Sequence, residues 1–379
     1  MKKQTIWIIV GIAILFLIGF IYSNYKAEKE ETIKIGGAFG LTGAASEWGI
    51  EELNVVKMVI DDVNFNGGID GKKIELIVED TKTESKDTLN AVKKLIEVDN
   101  VQVIIGPTWG DSFGELVGPV GEEAKVVQLT PSGALEVAEQ KYDFKYFFST
   151  WYPQLPEVEE HIKFLKSKNL TRISIMHDQD PFNTLFADMY KEEVEKNNFT
   201  VTDVLIIKTD EKDYRTVLIK AKQKNPEVML INIFEVGNLG SVLKNMKELN
   251  MNTLILATSS GQTQDLLDSY ADIAEGKMYF SNPDLSSDRY RKFLDRYKKK
   301  YGNEPKGASA APTYDAINAL IQVLKNGARN GEEIRNELNK VEVPGILVDK
   351  IKFNEKGQIS DVPFLMTAVK NKTFVEVFR

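Results

Sequence analysis

The chain has two histidines, His161 and His177, and no cysteine, which removes thiolate nucleophiles, thiolate metal sites and any histidine-rich metal centre. No serine, threonine or lysine has a general base at a spacing that would activate it, so the residues point to no enzyme. One grouping carries metal-ligand types: His177-Asp178-Gln179-Asp180, after a strand-like run. It reads either as a ligand cluster or as a polar turn opening a helix. Two other segments suit a different chemistry. Thr108-Trp109-Gly110-Asp111-Ser112 and Thr130-Pro131-Ser132-Gly133-Ala134 each place hydroxyls and small residues where a helix begins. There, free N–H groups point outward and can hold an anion or a carboxylate. Ordinary capping by Asp or Ser is the alternative for both. The loop Gly36-Gly37-Ala38-Phe39-Gly40 lacks the spacing of a dinucleotide fingerprint.

These loops need strands before them and helices after them, and the pattern supplies both. Val55, Val56, Val59, Ile60 and Val63 recur at helical spacing, and Gly67, Gly68 and Gly71 turn the chain back into Ile74 to Val78. A strand, a helix and a strand in that order make a βαβ unit, hence a parallel sheet with a right-handed crossover. Glu84 to Val98 is an amphipathic helix, Val101 to Gly106 and Val126 to Thr130 are short buried strands, and Asp111 to Ala124 is the helix between them. The Pro-punctuated run Trp151-Tyr152-Pro153-Gln154-Leu155-Pro156 marks a boundary. A second βα series then runs from Ile162 to Ala257. After Asn282-Pro283 the pattern is helical, and short strands near Ile351 and from Phe364 to Val369 are expected to return to an existing sheet edge.

With 379 residues the chain can build two packed lobes, and 42% apolar against 27% charged residues is the composition of a globular protein. The net charge of −8 is spread along the chain with no basic stripe, which argues against a nucleic-acid partner. Ile6 to Tyr22, 17 residues without a charge after Lys2 and Lys3, reads as a membrane-directed segment. It has no Ala-x-Ala cleavage site, so residues 1–27 are expected to form an uncleaved signal-anchor holding the rest outside the cytoplasm, with cleavage as the alternative.

The segment Ile33-Lys34-Ile35-Gly36, Leu41-Thr42-Gly43, Trp48-Gly49, Asp61 to Asn64, Gly67-Gly68, Gly71-Lys72 and Glu79-Asp80 closely resembles the start of the type I periplasmic binding proteins, in particular the branched-chain amino acid binding group. The resemblance extends over Thr32 to Arg379. It implies an α/β fold of two doubly wound, Rossmann-like parallel-sheet lobes joined by a hinge of three crossings. Residues 32–152 and 284–350 would form lobe 1, and 153–283 and 351–379 lobe 2. The crossings are expected near Ser149 to Pro153, Ser281 to Pro283 and Val348 to Phe353.

In that family the two helix-opening loops hold the ligand's carboxylate, and here the family hydroxyls fall at Gly110, or at Asp111 with a one-residue gap, and at Ala134. Ser112 and Ser132 lie close enough in sequence to substitute, with Gly133 beside them. The resemblance further assigns ligand contacts to Trp48, Gln154, Phe182 and Phe234; the acidic residue that receives the ligand's ammonium aligns with Ser259, and Glu235 is the nearest carboxylate. It implies a binding protein with no cofactor and no metal, which captures a small molecule and passes it to the permease of an ABC importer. A sensory module built on the same clamp is the rival reading.

Overall fold

The structure, a computed structural model, describes residues 32–379 apart from 139–141, 209–210 and 234–235. The expected signal-anchor at 1–27 lies outside the described residues. Among the described residues no helix is long and apolar enough to cross a membrane.

The first sheet is all parallel. Its strands are β1 (Ile33–Phe39), β2 (Ile74–Asp80), β3 (Val103–Ile105), β4 (Val127–Thr130) and β5 (Phe147–Ser149), in the order β2-β1-β3-β4-β5. The crossovers are α1 (Ser46–Phe65), α2 (Ser85–Glu97), α3 (Gly110–Ala124) and the single turn α4 (Leu135–Ala138). The α1 stripe is buried as its spacing requires, with Val55, Val56, Val59 and Ile60 in the same apolar cluster as Ile35, Val103, Ile105, Val127 and Leu129 of the strands.

The second series begins earlier than the apolar pattern suggested. Helix α5 covers Gln154–Lys168, with Pro153 at its N-cap and Pro156 inside the first turn, where a missing N–H costs nothing. Then come β6 (Arg172–His177), α6 (Pro181–Lys196), β7 (Thr200–Ile206), α7 (Arg215–Gln223), β8 (Val228–Asn232), α8 (Val236–Glu248), β9 (Leu254–Ala257), α9 (Gln264–Ala274) and β10 (Met278–Pro283).

The chain next leaves this sheet for α10 (Asp288–Tyr301), α11 (Ala310–Lys325) and α12 (Gly331–Leu338). Phe293, Tyr297, Ile317, Leu320, Leu324 and Ile334 of these helices join the first cluster, so they cover the first sheet. Each fully buried aliphatic or aromatic side chain there contributes about 1.5–3 kcal/mol relative to exposure. A short hairpin of β11 (Val343–Pro344) and β12 (Lys350–Ile351) follows. Finally β13 (Phe364–Lys370) and β14 (Thr373–Phe378) complete the second sheet, in the order β14-β13-β10-β9-β8-β6-β7.

Three sequence expectations are corrected here. The second sheet is mixed, because β13 runs antiparallel to β10 and β14 antiparallel to β13; a tight connection at 371–372 can join only antiparallel neighbours. The strand at Ile351 pairs with β11 and not with either large sheet. Ile351, Ile359 and Val362 pack in the first cluster, so the last return to the second sheet comes at Phe364 and not at 351.

Candidate functional site

The C-terminal ends of β3 and β4 carry the two helix-opening loops, and these are locked to each other. The Gly110 N–H donates to the Ser132 carbonyl at 2.5 Å, the Trp109 N–H donates to Ser132 Oγ at 3.0 Å, and the Thr130 hydroxyl donates to the Pro107 carbonyl at 2.8 Å. Gly133 has φ +134°, and a Cβ there would stand 2.3 Å from the Asp111 nitrogen, so only glycine allows this approach. Ala134 is fully buried in the first cluster.

The hydroxyl expected from Ser132 is therefore turned inward, on a residue with 0% exposure. Beneath it Glu52, also fully buried, accepts from the Thr108 hydroxyl at 2.5 Å. Burial pushes the Glu52 carboxyl up to about 7 against the pull of the Ser132 and Thr108 hydroxyls. Ser112 is exposed, and its N–H donates to Asp111 Oδ1 at 2.8 Å. The first turn of α3 thus carries the chain's own carboxylate where an incoming anion would sit.

Facing it is the first turn of α6. The His177-Asp178-Gln179-Asp180 segment is a polar turn: Asp178 Oδ1 accepts from the Asp180 N–H at 3.1 Å and from Asn183 Nδ2 at 2.7 Å, and His177 Nδ1 lies 2.7 Å from the Asp178 carbonyl. Asp180 caps α6, accepting from the N–H groups of Phe182 at 2.9 Å and Asn183 at 3.3 Å. Helices α3 and α4 both pack against α6, and Phe182 lies against the apolar cluster of the first lobe.

Although part of Asp111 stays open to solvent, burial pushes its carboxyl up to about 7; the Ser112 N–H opposes this, and the charge of Asp180 across the cleft adds to it. Asp180 is itself raised by burial, against its two backbone hydrogen bonds. No lysine or arginine pairs with either carboxylate among the described residues.

Aromatic rings form the adjoining wall. Trp48, opening α1, lies with its ring 5.7 Å from that of Trp151 and edge-on to Trp109 at 6.4 Å. Trp151 stacks on Tyr152 at 4.7 Å. Trp109 holds a left-handed backbone, φ 58° and ψ 56°, a strained conformation that recurs at ligand clamps. The Tyr152 hydroxyl is 2.5 Å from Ser259 Oγ, just past the end of β9. Glu157 of α5 accepts from the Ser281 hydroxyl, and from the Ser259 N–H at 3.3 Å. Burial pushes Glu157 up to about 7.

Gln154 opens α5 beside these rings. Its N–H donates to Glu136 Oε1 at 2.9 Å and its Nε2 to the Tyr152 carbonyl at 3.3 Å, while its buried Oε1 has no partner. Phe234 and Glu235 lie outside the described residues.

The structure thus places Trp48, Asp111, Ser112, Gln154, Phe182 and Ser259 around the meeting of the two helix-opening loops with α5, α6 and the end of β9, and leaves Gly110, Ser132, Gly133 and Ala134 packed between the loops. Sequence reasoning did not single out Glu52, Trp151, Tyr152 and Glu157 as neighbours of these residues, gave Trp109 only as part of its loop, and took Asp180 only as a turn or metal-ligand residue. A signal existed for Glu52: it shares a helix face with Val55, Val56 and Val59, where a charged residue is out of place unless bonded.

Two surface hollows lie elsewhere among the described residues. One, of about 220 Å³, is lined by Phe144, Phe147, Phe148 and Arg335 among others, and one, of about 410 Å³, lies between Gln322 and Val343. Neither touches the cleft, where converging carboxylates and rings are the better guide.

Comparison with known proteins agrees with this architecture. Residues 32–373 match the family model described as periplasmic binding protein. The leucine-, isoleucine-, valine-, threonine- and alanine-binding protein of Pseudomonas aeruginosa is 23% identical over 370 residues, 96% of each chain. Among solved structures, the branched-chain amino acid transporter substrate binding protein of Streptococcus pneumoniae, in complex with isoleucine, aligns with a TM-score of 0.77 at 21% identity, over 92% of this chain and 100% of that one. The solute binding protein of an ABC transporter from Rhodopseudomonas palustris BisB5, in complex with 3,4-dihydroxy benzoic acid, aligns with a TM-score of 0.77 at 19% identity, over 92% and 96%. These relatives are binding proteins and not enzymes. The chain belongs to the periplasmic binding protein family, in the group that includes the leucine-, isoleucine- and valine-binding proteins.

Proposed function

We propose that this chain is an extracytoplasmic solute-binding protein that captures a small polar organic ligand, an amino acid or related compound, between its two lobes and delivers it to the permease of an ABC importer. Residues 32–152 and 284–350 make up most of one lobe, and 153–283 with the terminal strands the other. The observation that carries this reading is the meeting of the first turns of α3 and α6 across the carboxyl ends of both sheets, where ligands bind in open α/β folds. Relatives named for amino acids and a neighbour holding a benzoate support a small organic ligand.

The mechanism is differential affinity. Contacts made from both lobes stabilise the closed form over the open one, and the permease reads the closed form. Trp48, Asp111, Ser112, Gln154, Phe182 and Ser259 are the contacts that this reading gives to the ligand. No cofactor, metal or covalent step is required.

Mass spectrometry of small molecules released by denaturing the full chain, purified from its own host, tests the proposal. A single solute released at near-stoichiometric amount is expected. Release of none, together with no change in melting temperature across a panel of amino acids, aromatic acids and amines, would overturn it.

A further inference from the structure

In most charge-bearing clefts a buried carboxylate is answered by a cation of the same chain. Here it is not. Asp180 on lobe 2 caps α6, Asp111 on lobe 1 sits in the first turn of α3, which packs against α6, and the charge of Asp180 bears on Asp111 across the cleft, with no lysine or arginine paired to either among the described residues. Two carboxylates brought together in this way repel each other and lose hydration on closure, and both costs fall when a cation lies between them.

The rings beside them are electron-rich faces: Trp48 contacts both Trp109 and Trp151, and Phe182 borders the same apolar cluster as Trp48. Such faces attract organic cations. A second, independent observation points the same way. Asn183, in the first turn of α6, is fully buried and has its Nδ2 tied to Asp178, which leaves its Oδ1 with no partner. Gln154, 1% exposed beside Tyr152, has its Nε2 tied to the Tyr152 carbonyl, which leaves its Oε1 with no partner. Both unanswered groups are acceptors, and they call for a ligand that donates.

Donors that would hold a carboxylate are already committed: the Gly110 N–H to the Ser132 carbonyl, the Trp109 N–H to Ser132 Oγ, the Ser132 hydroxyl to Glu52 and the Ser112 N–H to Asp111. We propose that the ligand of this cleft is an organic amine without a free carboxylate, its cationic end between Asp111 and Asp180 and its apolar body against Trp48, Trp109 and Phe182. This deepens the solute-binding reading above and rests on it.

The test is calorimetric titration of the full-chain protein at pH 7.5 with phenethylamine, phenylalanine and 3-phenylpropanoate, which share one ring and differ in the charged groups, and with choline as a second cation. Phenethylamine or choline is expected to bind at least tenfold tighter than phenylalanine, and 3-phenylpropanoate not to bind. Asp111→Asn and Asp180→Asn, near-isosteric changes, are each expected to weaken the cation tenfold or more while the melting curve of the unliganded protein stays cooperative. Tighter binding of phenylalanine or phenylpropanoate, or no binding of either cation at millimolar concentration, overturns the inference. If a carboxylate-bearing solute is released from the purified protein, this inference fails while the solute-binding reading stands; if no solute is released and none binds, both fail.

Discussion

The hydroxyl of Tyr152 lies 2.5 Å from Ser259 Oγ and ties the segment between β5 of the first sheet and α5 to the end of β9 in the second sheet. Tyr152 also stacks on Trp151 and meets Phe364 edge-on at 5.1 Å, so one side chain touches the aromatic wall of the cleft and the start of β13.

Tyr152→Phe keeps the ring and removes the hydrogen bond, leaving Ser259 short of a partner at a cost of about 1 kcal/mol. Because the bond links that segment to the second sheet, the loss is expected to favour the open form. Small-angle scattering of the unliganded variant should give a larger radius of gyration than wild type; an unchanged radius, with the same melting temperature, would show that the bond does not hold the hinge.

Protonation of the interior sets a second expectation. Glu51, Glu52 and Glu157 are pushed up to about 7 from an ordinary 4.5 by burial, and Asp315 to about 7 from 3.8 by the same cause. A carboxyl whose folded pKa lies above its unfolded value holds its proton in the folded chain after the unfolded chain has released it. Between about pH 4.5 and 7 folding therefore takes up protons, and stability falls as pH rises through that window. Carboxylates such as Glu227, lowered by the Thr171 N–H, lose stability in the other direction at still lower pH. The melting temperature is expected to peak near pH 5 and to drop by several degrees by pH 8, and Glu157→Gln should flatten the slope. A melting temperature that rises from pH 5 to pH 8 would refute the assignment.

How much of this was legible in the sequence depends on how local the cause is. The βα alternation, the α1 stripe and the turn after it were readable because periodicity and glycine conformation act within a few residues. The antiparallel pairing of β13 with β10 was not, since it joins Tyr279 to Ala368 and nothing near either residue announces the partner. Within the site the loops at 108–112 and 130–134 could be located, but the fate of their donors could not. Whether the Ser132 hydroxyl faces a ligand or Trp109 is decided by how two loops 23 residues apart meet. Trp151 and Tyr152 were seen only as boundary residues, because an aromatic beside prolines carries no sign of which ring it will touch.

Gly49 tests the close packing that holds Trp48 in place. A Cβ at this position would stand 2.3 Å from the Gly40 carbonyl oxygen and 2.6 Å from its carbon, both backbone atoms that cannot swing aside. Gly49→Ala is therefore expected to cost about 1–3 kcal/mol and to shift α1 away from β1. Thermal unfolding checks the first part and loss of Trp48 fluorescence shielding the second; an unchanged melting temperature would mean that the helix start relaxes without strain.

The last expectation concerns the branched-chain amino acids themselves. A zwitterion needs donors around its carboxylate and an acceptor for its ammonium, and each buried charge left unpaired costs several kcal/mol, roughly a thousandfold or more in affinity. The Gly110 N–H is spent on the Ser132 carbonyl, the Trp109 N–H on Ser132 Oγ, the Ser132 hydroxyl on Glu52, and Ala134 has no hydroxyl, while Asp111 sets a negative charge beside the place where the carboxylate would enter. An acceptor for the ammonium is available in Asp111 or Asp180, so the deficit lies on the carboxylate side alone. Leucine, isoleucine and valine are expected to bind weakly or not at all in calorimetric titrations of the full chain, and Asp111→Ser, which removes the repelling charge and supplies a hydroxyl, should strengthen leucine binding. Micromolar binding of leucine to the unaltered protein would mean that the loops reopen to receive it, and the closed arrangement of Gly110 and Ser132 would then describe only the unliganded state.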